Sequence, residues 1–365
     1  MTVWVSPPES DLQATCDRVM EGLSCDQDAQ ILGTGLTGPI GIWLVFLMGE
    51  WRKRTGASFR LQIVTRNRAK ANDIFQIFIE EGWVTLLEQD IRFVDLGGSH
   101  PDIVIHGATA SARESFYGMT GLEKFQGVVQ GTNQLLRELD PNRSCKIVFL
   151  SSGSIFGTTL LEPGQAIKQD WPETPAIDEG AALGHAKRAA EAHLTFHSLA
   201  HPKHTVSICR LFSFVGPLLP LNYQYAVGNF IADVLAARPI RVQSDGSAVR
   251  SFMYLGDMAG WLLRVIFAQS EERTFMIGST RAVSILELAN LIRKVFNSPN
   301  DIEVTGSTSR YSRYAASDFY VPETALTRSA LSVDEWTSLE IALTRTAEFL
   351  ASRSAGGDPG YPYAI

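Results

Sequence analysis

The chain has 365 residues, 45% of them hydrophobic and 19% charged, with a mean hydropathy near zero; this composition excludes intrinsic disorder and supplies a substantial core. Its 32 basic and 39 acidic residues leave a net charge of −7, which argues against broad binding to nucleic acid or anionic membrane while leaving room for a local phosphate pocket. The length fits two domains, or one large α/β domain with an appendage. Cys16, Cys25, Cys145 and Cys209 lie far apart with no CxxC pair, so neither a zinc site nor a disulfide framework is expected. The longest apolar stretch, Ile40 to Met48, falls far short of the roughly 20 residues that cross a bilayer. The N-terminus has neither the basic start nor the apolar core of a signal peptide. A cytoplasmic protein is expected.

In chain order, residues 11–24 place Leu12, Cys16, Val19, Met20 and Leu23 at helical spacing behind an Asp11 or Ser10 cap, predicting a docking helix in an extension over 1–28. From residue 29 short apolar runs alternate with helical patterns. AQILG is followed by the helix of IGIWLVFLMGEWRKR, then FRLQIVT, the helix of NRAKANDIFQIFIEEG, WVTLLEQD, PDIVIHGAT, a helix near 120–139, and CKIVFLSSG. This alternation predicts βαβ crossovers and a doubly wound parallel sheet of Rossmann type over 29–215, covered on both faces. After the strand in VSICRLFSFVG the regularity weakens. Residues 216–350 are assigned mainly to a smaller C-terminal lobe with some segments returning to the sheet, and 351–365 to a poorly ordered tail.

The first strand runs into GTGLTGPIG, where Gly35, Gly38 and Gly41 have GxxGxxG spacing. Gly35 permits a tight turn, Gly38 lets backbone N–H groups approach a pyrophosphate, and Gly41 allows close helix packing. Thr37, Pro39 and Ile40 complete this candidate cofactor turn, although the same spacing also suits an ordinary strand-to-helix turn. The second strand ends Val64-Thr65-Arg66-Asn67-Arg68, without the carboxylate that grips adenosine ribose hydroxyls. Arg66 and Arg68 pair with a 2′-phosphate or stack on adenine, which leans towards NADP over NAD, or else are solvated arginines at a helix start. Asp90, followed by Ile91, is placed to reach an adenine amino group or is a plain turn aspartate.

Several separated segments resemble one family. LGTGLTGPIG resembles the TGGxGFIG turn, DIVIHGAT the VIHxAA strand, IVFLSSGSIFG the SSxxVYG strand, LGHAKRAAE the YGxSKxxxE helix, SFVGP the NxYGP turn, and VRSFMYLGDMA the RxFxYVxD segment. Together, over about residues 29–350, they resemble an extended short-chain dehydrogenase/reductase of the NAD-dependent epimerase/dehydratase group, whose members modify nucleotide sugars. The resemblance implies a substrate-binding role for the C-terminal lobe. It also implies an orienting hydroxyl at Ser152 and a cofactor-holding cation at Lys187, with His106 and Ala108 beside the cofactor. Ser152, Gly153, Ser154, Asn229 and Arg250 fall on positions expected to meet the nucleotide sugar. Asp257 is expected to fix the lobe, and Arg210 to be a buried ion-pair residue or a ligand.

Two departures stand out. The position of the family's catalytic tyrosine is Leu183, which cannot exchange a proton. His185, Tyr223, Tyr225, an ordered water or Lys187 itself are the nearby alternatives, the two loop tyrosines being better placed. Where family 4,6-dehydratases carry Asp-Glu after the catalytic hydroxyl, this chain has Gly153-Ser154, which disfavours that reaction. The resemblance therefore implies NAD(P)-dependent epimerisation or keto reduction of a nucleotide sugar through a 4-keto species, with altered proton transfer. The alternative is a catalytically degenerate cofactor- and ligand-binding protein serving as a regulatory subunit. A homodimer through the helices near 120–139 and 182–199, with Leu194 and Phe196 in the contact, is implied in the same way.

Overall fold

The computed structural model of the chain describes residues 6–109, 118–157, 165–171, 177, 180–221, 225–306 and 319–354. Its centre is a seven-stranded, wholly parallel sheet. In chain order the first six strands are β1 (Ala29–Thr34), β2 (Phe59–Thr65), β3 (Val84–Glu88), β4 (Ile103–His106), β5 (Cys145–Ser152) and β6 (His204–Leu211). After these come the short β7 (Phe214–Val215), β8 (Ile240–Val242), β9 (Val249–Arg250) and β10 (Met253–Tyr254), then β11 (Thr274–Ile277), β12 (Val283–Ser284), β13 (Ile302–Val304) and β14 (Phe319–Tyr320). The sheet order is β11-β6-β5-β4-β1-β2-β3, so the order reverses between β1 and β4. In open α/β sheets ligands bind outside the carboxyl ends of the strands at such a reversal. Strand burial is nearly continuous, as in β5 with six of its eight residues buried, because helices cover both faces.

Those helices are α1 (Glu9–Val19), α2 (Pro39–Thr55), α3 (Arg68–Glu80), α4 (Gly121–Glu138) and α5 (Ala182–Ala200), followed by α6 (Ala226–Leu235), α7 (Leu255–Phe267), α8 (Ile285–Val295), α9 (Ala325–Leu331) and α10 (Leu339–Ser354). Helix α1 is shorter than the 11–24 predicted and is capped by Pro8, because the chain leaves the helix at Met20 and turns at Gly22, whose φ of 71° is left-handed. It buries Leu12, Cys16 and Val19 against α2 and α7, so the extension belongs to the main core. The four cysteines are unpaired thiols.

The C-terminal part contributes one strand to the sheet, β11 beside β6, and otherwise builds small strand groups: β10 with β7, β13 with β8, and β9 between β12 and β14. Asp257 joins this lobe together. Its carboxylate accepts hydrogen bonds from the backbone N–H groups of Trp336 and Thr337 and from the Thr337 hydroxyl at 2.8–3.1 Å. Among the described residues no helix is long and apolar enough to cross a membrane. The predicted tail falls mostly on residues 355–365, outside the described residues.

Candidate active site

The glycine turn closes β1 at the sheet's switch point. Gly35 has φ 72°, and a Cβ there would lie 2.5 Å from the Gly107 carbonyl, so only glycine lets this turn press against the end of β4. A Cβ at Gly41 would collide with the Leu36 backbone; the close approach made possible by this glycine is thus to the turn itself. Gly38 is different. Its φ of −87° suits any residue, and among the described residues a Cβ there would meet only the Gly35 carbonyl oxygen, at 3.7 Å. Gly38 caps α2 without a side-chain hydrogen bond, with Pro39 following. The start of α2 therefore offers its backbone N–H groups and the positive end of its dipole to an anion.

Beside the turn, His106 ends β4 and is completely buried. The Thr132 hydroxyl donates to the Val128 carbonyl (2.8 Å) and so accepts from His106 Nε2–H (3.0 Å). Nδ1 must then accept from the Thr34 hydroxyl at 2.8 Å, whose oxygen in turn accepts the Ala108 N–H at 3.2 Å. Burial, aided by the Lys187 charge, lowers the His106 pKa to about 3. The imidazole is a neutral, fully bonded clamp between β1, β4 and α4. It has no ring nitrogen left for a ligand, whereas Ala108 lies on the loop just beyond.

Lys187 projects from α5 into the same strand edge. Gly184 makes this possible, since any Cβ there would run into the Ser154 carbonyl. Lys187 is 3% exposed; its ammonium donates to the Leu150 carbonyl at 2.6 Å and sits 4.6 Å from the centre of the Phe149 ring. Burial pulls its pKa down to about 8, with Glu191 opposing. One N–H is committed to Leu150, out of the three an ammonium carries. One turn on, Glu191 accepts from the Ser151 hydroxyl at 2.5 Å and forms a bidentate pair with Arg210 at 2.8–3.3 Å. Arg210 also donates to the Gln169 carbonyl at 2.7 Å. Arg210 is thus a half-buried ion-pair residue, and Glu191, which carried no role in the sequence reading, is its counter-ion and lies near the Lys187 charge. Its place four residues after Lys187, on one helix face, was the available signal.

Ser152 ends β5 and is partly exposed; its oxygen accepts the Ser154 N–H at 3.1 Å. The Ser154 hydroxyl is buried and has no hydrogen-bond partner among the described residues, so it is available to a ligand or a water. Gly153 is buried against Phe212 and Tyr320: a Cβ there would lie 2.5 Å from the Tyr320 hydroxyl. The Tyr320 hydroxyl, carried by β14, thus lies against the Gly153 backbone, next in sequence to Ser152. Tyr320 is also the register partner of Arg250 in β9, whose guanidinium carbon lies 5.9 Å from the centre of its ring. No sequence signal pointed to Tyr320.

The strand edge thus gathers Gly35, Gly38, His106, Ala108, Ser152, Gly153, Ser154 and Lys187. Arg66 follows β2, and its charge acts on Asp90 after β3. The Asp90 carboxylate is paired with Arg92 at 2.7–3.0 Å and caps the short helical turn Ile91–Phe93, while Ile91 packs on Gly131 of α4. Arg68 donates to the Leu86 carbonyl at 3.3 Å. Asn229 is half-buried in α6, and Tyr225, 40% exposed, precedes that helix. Tyr223 lies outside the described residues. Leu183 packs against the cluster of Val128, Leu135 and Ala190. Leu194 corrects an expectation: it is buried within the subunit, because it lies two helical turns from Lys187 on the inward face, and it is unavailable to a partner. Phe196 is exposed. A separate cavity of about 620 Å³ is lined by Leu12, Phe46, Lys53 and Phe78, at the end of α2 remote from the glycine turn.

Residues 34–278, more than half of the chain, match the model of the NAD dependent epimerase/dehydratase family. UDP-glucuronic acid decarboxylase 5 of Arabidopsis thaliana is 25% identical over 286 residues, covering 78% of this chain and 80% of that protein. UDP-glucuronic acid decarboxylase 3 of the same plant is 25% identical over 206 residues, 56% of this chain; the chain spans 58% of that relative's length. Among solved structures, UDP-glucose 4-epimerase of Thermotoga maritima with UDP-glucose superposes with a TM-score of 0.72 at 18% identity, covering 89% of this chain and 99% of that one. UDP-glucuronic acid 4-epimerase of Bacillus cereus, in complex with UDP-glucuronic acid and NAD, gives 0.71 at 18% identity over the same shares. These likenesses establish a common fold, and with the family match they place the chain in the NAD dependent epimerase/dehydratase family.

Proposed function

We propose that the protein is an NAD-dependent enzyme that modifies a nucleotide-activated sugar through a transient 4-keto species. The observation that carries this reading is the pairing, on one sheet edge, of a helix start with no side-chain cap at Gly38 with a buried lysine at Lys187. The first suits a pyrophosphate and the second a ribose diol, and the orphaned Ser154 hydroxyl supports a ligand between them. Bound there, the dinucleotide supplies the acceptor and donor for the hydrogen on the sugar carbinol carbon. Gly35, Thr37, Gly38, Pro39, Ile40 and Gly41 form its cradle, and Lys187 orients its ribose.

Ser152, partly exposed beside Lys187, orients the substrate oxygen. Arg250 and Asn229 are assigned to the nucleotide diphosphate, where a guanidinium bonds phosphate oxygens in pairs. Gly153 and Ser154 offer no acid-base pair for removing water, so dehydration is not the reaction proposed. NAD is preferred to NADP: solved neighbours hold NAD, and the Arg68 guanidinium is engaged by Leu86. The relatives are named for UDP-glucuronic acid decarboxylation and a neighbour for its 4-epimerisation, making UDP-glucuronic acid the first substrate to test. A cytoplasmic homodimer, using α4 and α5 with exposed Leu122, Phe196 and Leu199, completes the reading.

Leu183 favours a second reading, a binding or regulatory subunit without redox turnover. Absorbance in the reduced-nicotinamide band, with NMR of the sugar, decides between them. A transient band and a changed sugar are expected when UDP-glucuronic acid or UDP-glucose meets the NAD-loaded protein. Binding of both ligands with an unchanged spectrum and intact sugar would favour the second reading.

A further inference from the structure

Leu183, which falls where the family's proton-moving tyrosine is expected, is partly buried and packed against an apolar cluster, yet a phenol comes beside Ser152 by another route. Tyr320 lies 168 positions after Ser152 (320 − 152). It is carried there by β14, which pairs with β9 and is tied to the segment after β5 by the Ile167 N–H to Val321 carbonyl and Glu323 N–H to Ile167 carbonyl hydrogen bonds, both 2.8 Å. Its ring stacks obliquely on Phe212 at 4.6 Å. Its hydroxyl occupies the place that any side chain at position 153 would need. Gly153 and Tyr320 are therefore complementary: the glycine that removes the dehydratase carboxylate opens the space for this phenol.

Resting on the enzymatic reading above, we propose that Tyr320 supplies the phenol missing at position 183, acting on the substrate oxygen through Ser152. Ser152 already accepts the Ser154 N–H, which leaves its hydroxyl hydrogen and one lone pair to be shared between Tyr320 and a substrate oxygen. When a 4-keto sugar is reduced, for which a bound nicotinamide would supply the hydride, Ser152 gives the carbonyl oxygen its proton. Ser152 is reprotonated by Tyr320 and Tyr320 by solvent, so one C–H and one O–H bond form as the C=O π bond is lost. Oxidation runs the same relay backwards. Burial keeps the Tyr320 hydroxyl protonated well above the ordinary phenol range, with Ser152 and Arg250 opposing, which suits a donor more than a base. Tyr320 is accordingly a positioning and relay residue, with Ser152 as the group at the substrate.

The test uses full-length protein carrying 13C-labelled tyrosine, NAD+ and UDP-glucuronic acid or UDP-glucose. Tyr320→Phe, which removes one oxygen, identifies the Tyr320 resonance. That resonance is expected to shift in Ser152→Ala and on saturation with NAD+ plus the nucleotide sugar; no shift in either case overturns the proposal. In kinetics, Tyr320→Phe is expected to cut kcat at least 100-fold with KM within threefold. Adding Leu183→Tyr to Tyr320→Phe should recover at least tenfold, which a merely structural tyrosine would not allow. Turnover that survives Tyr320→Phe within threefold overturns this proposal alone. A wild type that binds both ligands, shows the shift and converts neither sugar overturns the enzymatic reading together with it.

Discussion

Two polar centres sit side by side on the same sheet edge and differ in how completely they are satisfied. Around His106 every hydrogen-bonding group closes on another: Ala108, Thr34, His106, Thr132 and Val128 form one directional chain. Around Ser152 the network stops short among the described residues, with the Ser154 hydroxyl buried and unpaired there and Lys187 donating to the Leu150 carbonyl. A buried polar group without a partner costs about 1–3 kcal/mol, so the first arrangement stabilises the apo fold and the second makes sense with a ligand present. The contrast separates residues that build the edge from residues that use it.

Substitutions at the two centres should therefore have opposite signatures. The largest effect is expected for Lys187→Met, which should lower turnover at least 100-fold, about 2.7 kcal/mol of transition-state stabilisation. Its Tm should stay within a few degrees, because a desolvated charge is removed and Glu191 keeps Arg210 as partner. A large Tm loss with intact NAD affinity would reverse the assignment. Thr132→Val should do the contrary, leaving His106 Nε2–H unpaired and costing roughly 1–3 kcal/mol in chemical denaturation, with NAD+ affinity within threefold.

A smaller, graded effect comes from pH. The folded His106 pKa of about 3 lies below the ordinary 6.5, so between these values the unfolded chain binds the extra proton. Stability is then present above about pH 6.5 and falls as pH drops towards 3, by at most about 1.4 kcal/mol per pH unit. Urea titrations from pH 7 to 5 should show this slope in the wild type and a flatter one in His106→Asn. Equal slopes would assign the acid sensitivity elsewhere.

Much of the cofactor half was legible in the sequence because its signals are local. Apolar runs alternating with helical periods gave the six N-terminal sheet strands, and glycine spacing gave the turn. Two such signals misled where tertiary packing intervened. Met20 and Leu23 keep helical spacing, but the chain turns at Gly22; Leu194 is apolar on a helix presumed to lie at an interface, but it shares the inward face of Lys187. The substrate side was less legible. Tyr320 meets Ser152 only through the pairing of two-residue strands, and no local pattern of residues encodes such a contact. Glu191 was within reach of helical spacing, whereas the His106 clamp depends on threonines from β1 and α4 whose role appears only in three dimensions.

The claim on which the account depends is that a dinucleotide pyrophosphate rests on the start of α2, and Gly38→Asp tests it most directly. Gly38 has room for a side chain and an ordinary φ, and aspartate is a good helix N-cap, so the variant should fold with an unchanged or higher Tm. Its carboxylate would stand where the phosphates belong, and calorimetry should show NAD+ affinity reduced at least 100-fold relative to the wild type. Equal NAD+ affinity in the two proteins, at equal stability, would contradict the account.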